Sequence, residues 1–160
     1  MPRCFCVTLA CSLALAMTCP LPARADDAAT IGACLKSEYE AGRDAHVCIG
    51  RVSDPCLETP DAQSTVGMVD CINRETKIWD NLLNDEYGRL MKMLSAKAAE
   101  DVCKAQRIWI TSRDADCAVP YEIFEGGTMA QPIAANCVLA HTANRMMQVR
   151  SWLEMVQPDQ

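Results

Sequence analysis

WITSRDADCAVPYEIFEGGTMAQPIAANC, residues Trp109 to Cys137, is the stretch that decides the fold. Trp109, Arg113, Asp114 and Cys117 read as a helix that ends at a cysteine. Pro120 is expected to stop it, since proline has no amide to continue the ladder. Tyr121 to Met129 then reads as a loop, in which Gly126-Gly127 permits a positive backbone angle. Pro132 suits the first turn of a following helix, where the missing N–H is not needed. Cys137 lies near the start of that helix. A Cys117–Cys137 bond would staple the two helices, and closing a loop of about 20 residues stabilises by roughly 3 kcal/mol. Such a bond needs an oxidising compartment.

The N-terminus agrees with export. Met1-Pro2-Arg3 is a short basic region, Cys4 to Met17 is apolar or small almost throughout, and Ala23-Arg24-Ala25 offers small residues to a signal peptidase. Cleavage is expected after Ala25. The apolar run is too short to cross a hydrocarbon core of roughly 30 Å, so no stable transmembrane segment is expected after cleavage. Neither Cys11 nor Cys19 follows a good lipobox; a lipid-anchored form is the alternative to a free periplasmic or secreted protein.

Removing residues 1–25 takes Arg3 and Arg24 and no acid. The remaining 135 of 160 residues carry 13 basic and 21 acidic side chains, a net charge of −8. That balance repels nucleic acid and favours encounter with a basic protein partner. Seven cysteines remain: Cys34, Cys48, Cys56, Cys71, Cys103, Cys117 and Cys137. None forms a Cys-x-x-Cys pair, which argues against zinc ribbons and thioredoxin-type sites and for disulfides. Seven is odd, so one thiol is left over. Cys34–Cys48 and Cys56–Cys71 are the local pairings beside crossed alternatives, and Cys103, inward-facing in mid-helix, is expected to stay free.

Outward from the staple the chain reads as all-α, an antiparallel three-helix bundle with a disulfide-held N-terminal loop region. Asp26 to Thr30 reads as a polar leader, Ile31 to Glu40 as a short helix, and Ala41 to Pro60, with Gly42, Gly50, Pro55 and Pro60, as mostly loop. A first long helix is expected from about Val66 to Leu94, capped by Ser64 or Thr65. Its apolar stripe is Ile72, Trp79, Leu83, Tyr87, Leu90 and Leu94. Ser95 to Glu100 holds a turn or break. A second helix runs from about Ala98 to Ala118, its broad inward face made by Val102, Ala105, Trp109 and Ser112 with Cys103, Gln106, Ile110, Arg113 and Cys117. A third runs to about Met155 on Leu139, Ala143, Met146, Val149 and Leu153. The first two are expected to pack antiparallel, with the third closing the bundle. The domain boundaries are a signal peptide at 1–25, a cysteine-containing extension at 26–62 and a helical domain at 63–156.

No residue set reads as catalytic, cofactor-binding or metal-binding. His46 lies in a loop, and His141 has Thr142 beside it and no fixed carboxylate at helical reach except through the fold. Asp114, Asp116, Glu122 and Glu125 cluster around the glycine loop without the cleft that a pair of hydrolytic carboxylates needs. Trp79, Trp109 and Trp152 read as core rather than sugar platforms.

The ordered set Leu83-Asn84, Tyr87, Gln106, Trp109, Arg113-Asp114, Cys117, Gly126-Gly127-Thr128, Cys137, Thr142 and Arg145 resembles the LprI-type lysozyme inhibitor family of bacterial envelope proteins. The likeness spans about Cys71 to Leu153; Val149 in place of a usual leucine and the extra Cys103 depart from it. It implies a helical envelope domain and, for at least some members, inhibition of lysozyme by binding rather than catalysis. Animal-type lysozymes are basic, and an acidic chain attracts them. The candidate binding loop is Tyr121 to Met129, with Phe124 as apolar anchor, Tyr121, Glu122 and Glu125 beside it, and Gly126 and Gly127 shaping it. The alternative is a structural or adaptor domain of the envelope with no inhibition.

Overall fold

The computed structural model describes residues 24–157. The expected leader, residues 1–25, lies outside the described residues save for the backbone of its last two. Five helices form the described residues, where a three-helix bundle preceded by one short helix at Ile31–Glu40 was expected: α1 (Arg24–Glu40), α2 (Ser53–Leu57), α3 (Thr65–Met93), α4 (Ala96–Ile123) and α5 (Ala130–Val156), with 3₁₀ turns at Ala45–Cys48 and Pro60–Ala62. The class is all-α, and there is no strand among the described residues.

The additional helices come from the N-terminal third. Asp26 to Thr30, expected as a leader, belongs to α1. Asp26 and Asp27 lie in its first turn, where carboxylates suit the positive end of the helix dipole. Asp27 also accepts two bonds from the Arg74 guanidinium, at 2.5 and 2.7 Å. Ile31 and Leu35 then bury against α3 and α5. The Ala41–Pro60 segment is loop-rich as expected, but a short 3₁₀ turn and α2 fall within it. Disulfides join Cys34 to Cys48 and Cys56 to Cys71, and so hold it to α1 and α3.

Ser64 caps α3, its hydroxyl accepting from Gly67 N–H at 3.1 Å. Gly67 has no room for a side chain: a Cβ there would run into the Asp61 carbonyl of the preceding turn. Ile72, Trp79, Leu83 and Leu90 of the expected stripe are buried, with Tyr87 and Leu94 half-buried at its far end. Leu94 and Ser95 alone form the break before α4, both extended, and Ser95 caps the next helix by accepting from Ala98 N–H at 3.3 Å.

The packing differs from the expected order. α5 is the central helix, lying along α3 and, less extensively, along α4, whereas α3 and α4 scarcely touch. Arg150 of α5 reaches Glu86 of α3 at 3.6 Å, and the starts of both helices line one groove, so α3 and α5 run parallel and α4 antiparallel to them. The physical reason lies in α4. Ile110 and Ser112, expected on its inner face, are exposed, while Val102, Cys103, Ala105, Gln106, Trp109 and Arg113 are only half-buried; Cys117 alone is fully buried. An inner face so thinly buried covers little of a second neighbour. α5 supplies the apolar face both neighbours need: Leu139, Ala143, Met146, Val149 and Leu153 are all buried. Burying a side chain of this kind is worth about 1.5–3 kcal/mol.

A buried carboxylate ties the N-terminal segment down. Glu75 sits within the α3 stripe and is fully buried. Its Oε1 accepts from Gly50 N–H at 2.7 Å and from the Trp79 indole N–H at 2.9 Å. Its Oε2 accepts from Val52 N–H at 2.9 Å and Ser53 N–H at 2.7 Å. Four donors satisfy a buried anion without a cation.

Candidate functional site

The α4–α5 hairpin tip carries the expected binding loop. Pro120 does not stop α4, which continues to Ile123, so Tyr121 and Glu122 are helical and the loop proper is shorter than Tyr121–Met129. Proline this close to a helix end forfeits one late hydrogen bond, and the Cys117–Cys137 disulfide just before it fixes the strand of chain it would otherwise loosen. The helix ends in a Schellman turn: Gly126 N–H donates to Tyr121 O at 3.0 Å and Glu125 N–H to Glu122 O at 3.2 Å. Gly126 has φ +76°, as its lack of a Cβ allows. The other left-handed residue is Glu125, with φ +49°, and not Gly127. Gly127 serves by close approach instead, since a Cβ there would lie 2.9 Å from Phe124 O.

The tip exposes apolar surface. Tyr121, Phe124 and Met129 are all more than two-fifths exposed, Ile123 is 69 % exposed, and Val119 and Ile133 continue the patch along both helices. Exposed apolar surface concentrated at one end of a molecule marks an interaction site more often than scattered residues do. The four expected carboxylates divide into two kinds. Asp114 accepts two bonds from Arg113, at 2.7 and 2.9 Å, and Asp116 lies 3.8 Å from His141 Nε2. Glu122 and Glu125 have no ion-pair partner among the described residues. Beside the tip, where α3 and α4 diverge, a groove of about 520 Å³ is lined by Val69, Asn73, Asp114, Tyr121, Gln131 and Val138.

Cys137 and His141 stand one turn apart, and with Cys117 their ligand atoms lie within 4.8 Å of one another. Both sulfurs are spent in the disulfide, so the group offers no thiolate to a metal. His46 lies 2.5 Å from Asp44, the residue that caps the first 3₁₀ turn. That capping bond from His46 N–H, before the imidazole contact, holds the Asp44 carboxyl below its usual range.

Five of the motif residues meet between α3, α4 and α5. The Arg145 guanidinium is buried between Trp109, 5.7 Å away, and Trp152, 4.8 Å away, while Arg113 covers Trp109 at 5.0 Å. Arg145 donates to Gln106 Oε1 at 2.9 Å and to Gln148 Oε1 at 2.8 Å; its Nη2 has no hydrogen-bond partner. Burial pulls the Arg145 pKa down, and the nearby Tyr87 phenol works the other way. Burial, then the adjoining Cys103 thiol, raises the Tyr87 phenol. Cys103 is the free cysteine among the described residues. This cluster fastens α4 to α5 by cation–π and amide contacts where aliphatic packing is thin. Leu83 and Thr142 belong to the core, and Asn84 is exposed on α3 away from the cluster.

Sequence reasoning missed Glu75. The signal was present: the α3 stripe steps seven residues from Ile72 to Trp79, and a helix puts residue 75 on the same face within that gap.

No curated protein and no solved structure matches this chain. The family model described as "Lysozyme inhibitor LprI" matches residues 56–149, which includes the Cys56–Cys71 and Cys117–Cys137 bonds, the whole hairpin tip and the guanidinium–tryptophan cluster apart from Trp152. With more than half of its length matched, the chain belongs to the LprI lysozyme inhibitor family.

Proposed function

We propose that this protein is exported, cleaved after Ala25, and acts in the periplasm or outside the cell by binding a basic lysozyme through its α4–α5 hairpin tip, with residues 63–156 as the inhibitory domain. The observation that carries this reading is the pairing of exposed apolar side chains with two unpaired carboxylates at a covalently anchored tip. Phe124 and Ile123 supply anchors that lose water on docking, and Glu122 and Glu125 complement cations around the target's cleft. The staple removes much of the ordering cost that a free loop would carry into the complex. The net charge of −8 expected after cleavage speeds encounter with a cationic enzyme. No described helix is long and apolar enough to cross a membrane.

The test is a cell-wall lysis assay in which a basic animal-type lysozyme is titrated with purified protein. The reading expects inhibition that saturates near one protein per enzyme and weakens with added salt. Undiminished lysis at tens of micromolar protein rejects it.

A further inference from the structure

We propose that the outward face of α4 pairs antiparallel with the same face of a second copy of this chain, about a two-fold axis near Ala115. α4 is covered on one side only. On its far side Ile108, Thr111, Ser112, Ala115 and Val119 are all exposed, and none is charged. These residues form a strip about 17 Å long at 1.5 Å per residue. Ile108 is 60 % exposed and Val119 49 %, with small side chains between them that let a second helix approach closely.

The charges at the ends of the strip select the occupant. Lys104 and Arg107 stand at one end, and Glu122 and Glu125 at the other. None of the four has an ion-pair partner among the described residues, although their neighbours Lys97 and Asp101, and Arg113 and Asp114, do pair. Antiparallel pairing of two identical strips sets Lys104 and Arg107 of each copy against Glu122 and Glu125 of the other, twice over. Parallel pairing sets like charge against like. The arrangement is isologous and closes as a dimer rather than a fibre. A basic protein at the acidic end would leave Lys104 and Arg107 unmet, so a self-complementary surface fits all four charges better. A contact built on one helix is at the small end of stable interfaces, so the dimer is concentration-dependent. Glu122 and Glu125 also serve in the lysozyme reading; a target and a second copy would compete for them, and the self-association test therefore uses the protein alone.

Sedimentation velocity of the oxidised, mature protein from about 1 to 200 µM, in low and high salt, measures the equilibrium directly. The expected result is a shift from monomer to dimer across that range, weaker in high salt. Ala115→Arg, at an exposed helical position, is expected to stay monomeric throughout with unchanged melting. Arg107→Glu and Glu122→Lys are each expected to weaken association at least about tenfold, and the Arg107→Glu/Glu122→Lys double variant to recover most of it. A wild-type monomer at about 200 µM overturns the proposal. So does an Ala115→Arg dimer as strong as the wild type, or a double variant no better than its parents.

Discussion

Replacing Glu75 by glutamine changes one atom and should cost a large part of the protein's stability. The side chain keeps its shape and one acceptor oxygen, which can still receive the Gly50 and Trp79 N–H groups. The new NH₂ group then faces the amides of Val52 and Ser53, which now donate to Oε2 at 2.9 and 2.7 Å. Two buried donors meet a donor. Each unsatisfied buried group costs about 1–3 kcal/mol, so the substitution is expected to cost roughly 4 kcal/mol. Against a total of about 5–15 kcal/mol for a domain, that is a severe loss. Glu75→Ala, which removes all four acceptor contacts, should cost at least as much. Urea unfolding with the disulfides intact, followed by tryptophan fluorescence, reads the change as a shift of midpoint at constant slope. A Glu75→Gln protein within about 1 kcal/mol of wild type would refute the argument that this carboxylate is what fastens the Gly50–Ser53 backbone to α3.

Glu125 occupies a left-handed position where glycine is preferred, so Glu125→Gly should raise stability by about 1 kcal/mol while weakening lysozyme inhibition; thermal melting and the lysis assay together check the opposed signs. The Cys117→Ser/Cys137→Ser variant removes a crosslink spanning 20 residues, and its unfolding free energy should fall by about 3 kcal/mol, with inhibitory potency falling as well. Burial, in part offset by the Arg150 guanidinium 4.1 Å from its ring, raises the Tyr39 phenol above its ordinary value. The unfolded chain therefore ionises first: the stability is full below the ordinary phenol pKa of about 10 and falls as pH rises through the higher folded value. Tyr39→Phe, compared in a Cys103→Ala background that spares the disulfides from thiol attack, should flatten that alkaline decline in urea midpoints.

The helices that bury a regular stripe were legible. Ile72 to Leu94 and Leu139 to Leu153 show the helical period strongly, and α3 and α5 end within about two residues of expectation. Ser64 announced its cap by type and place. What was not legible depends on contacts between distant segments. α1 begins in a polar stretch because Arg74, far along the chain, receives Asp27. The position of α5 between α3 and α4 follows from how much apolar surface each helix offers, which a turn length does not reveal. At the tip, the glycine pair correctly marked a reversal, and Gly126 takes the positive angle expected there; what was not legible is that Glu125 before it is left-handed too, because the end of α4 runs past Pro120 and moves the cap. The Arg145 cluster was visible as a set of motif residues, although the spacing alone could not show that the guanidinium lies between two indoles.

Docking through the hairpin tip is decided by isothermal titration calorimetry of the oxidised, mature protein with a basic lysozyme, beside a Glu122→Lys/Phe124→Ala/Glu125→Lys variant of equal thermal stability. The wild type is expected to form a saturable one-to-one complex and the variant to bind at least about a hundredfold more weakly, equivalent to about 2.7 kcal/mol. Equal affinity of the two proteins for lysozyme, or no heat of binding for either, would contradict such docking.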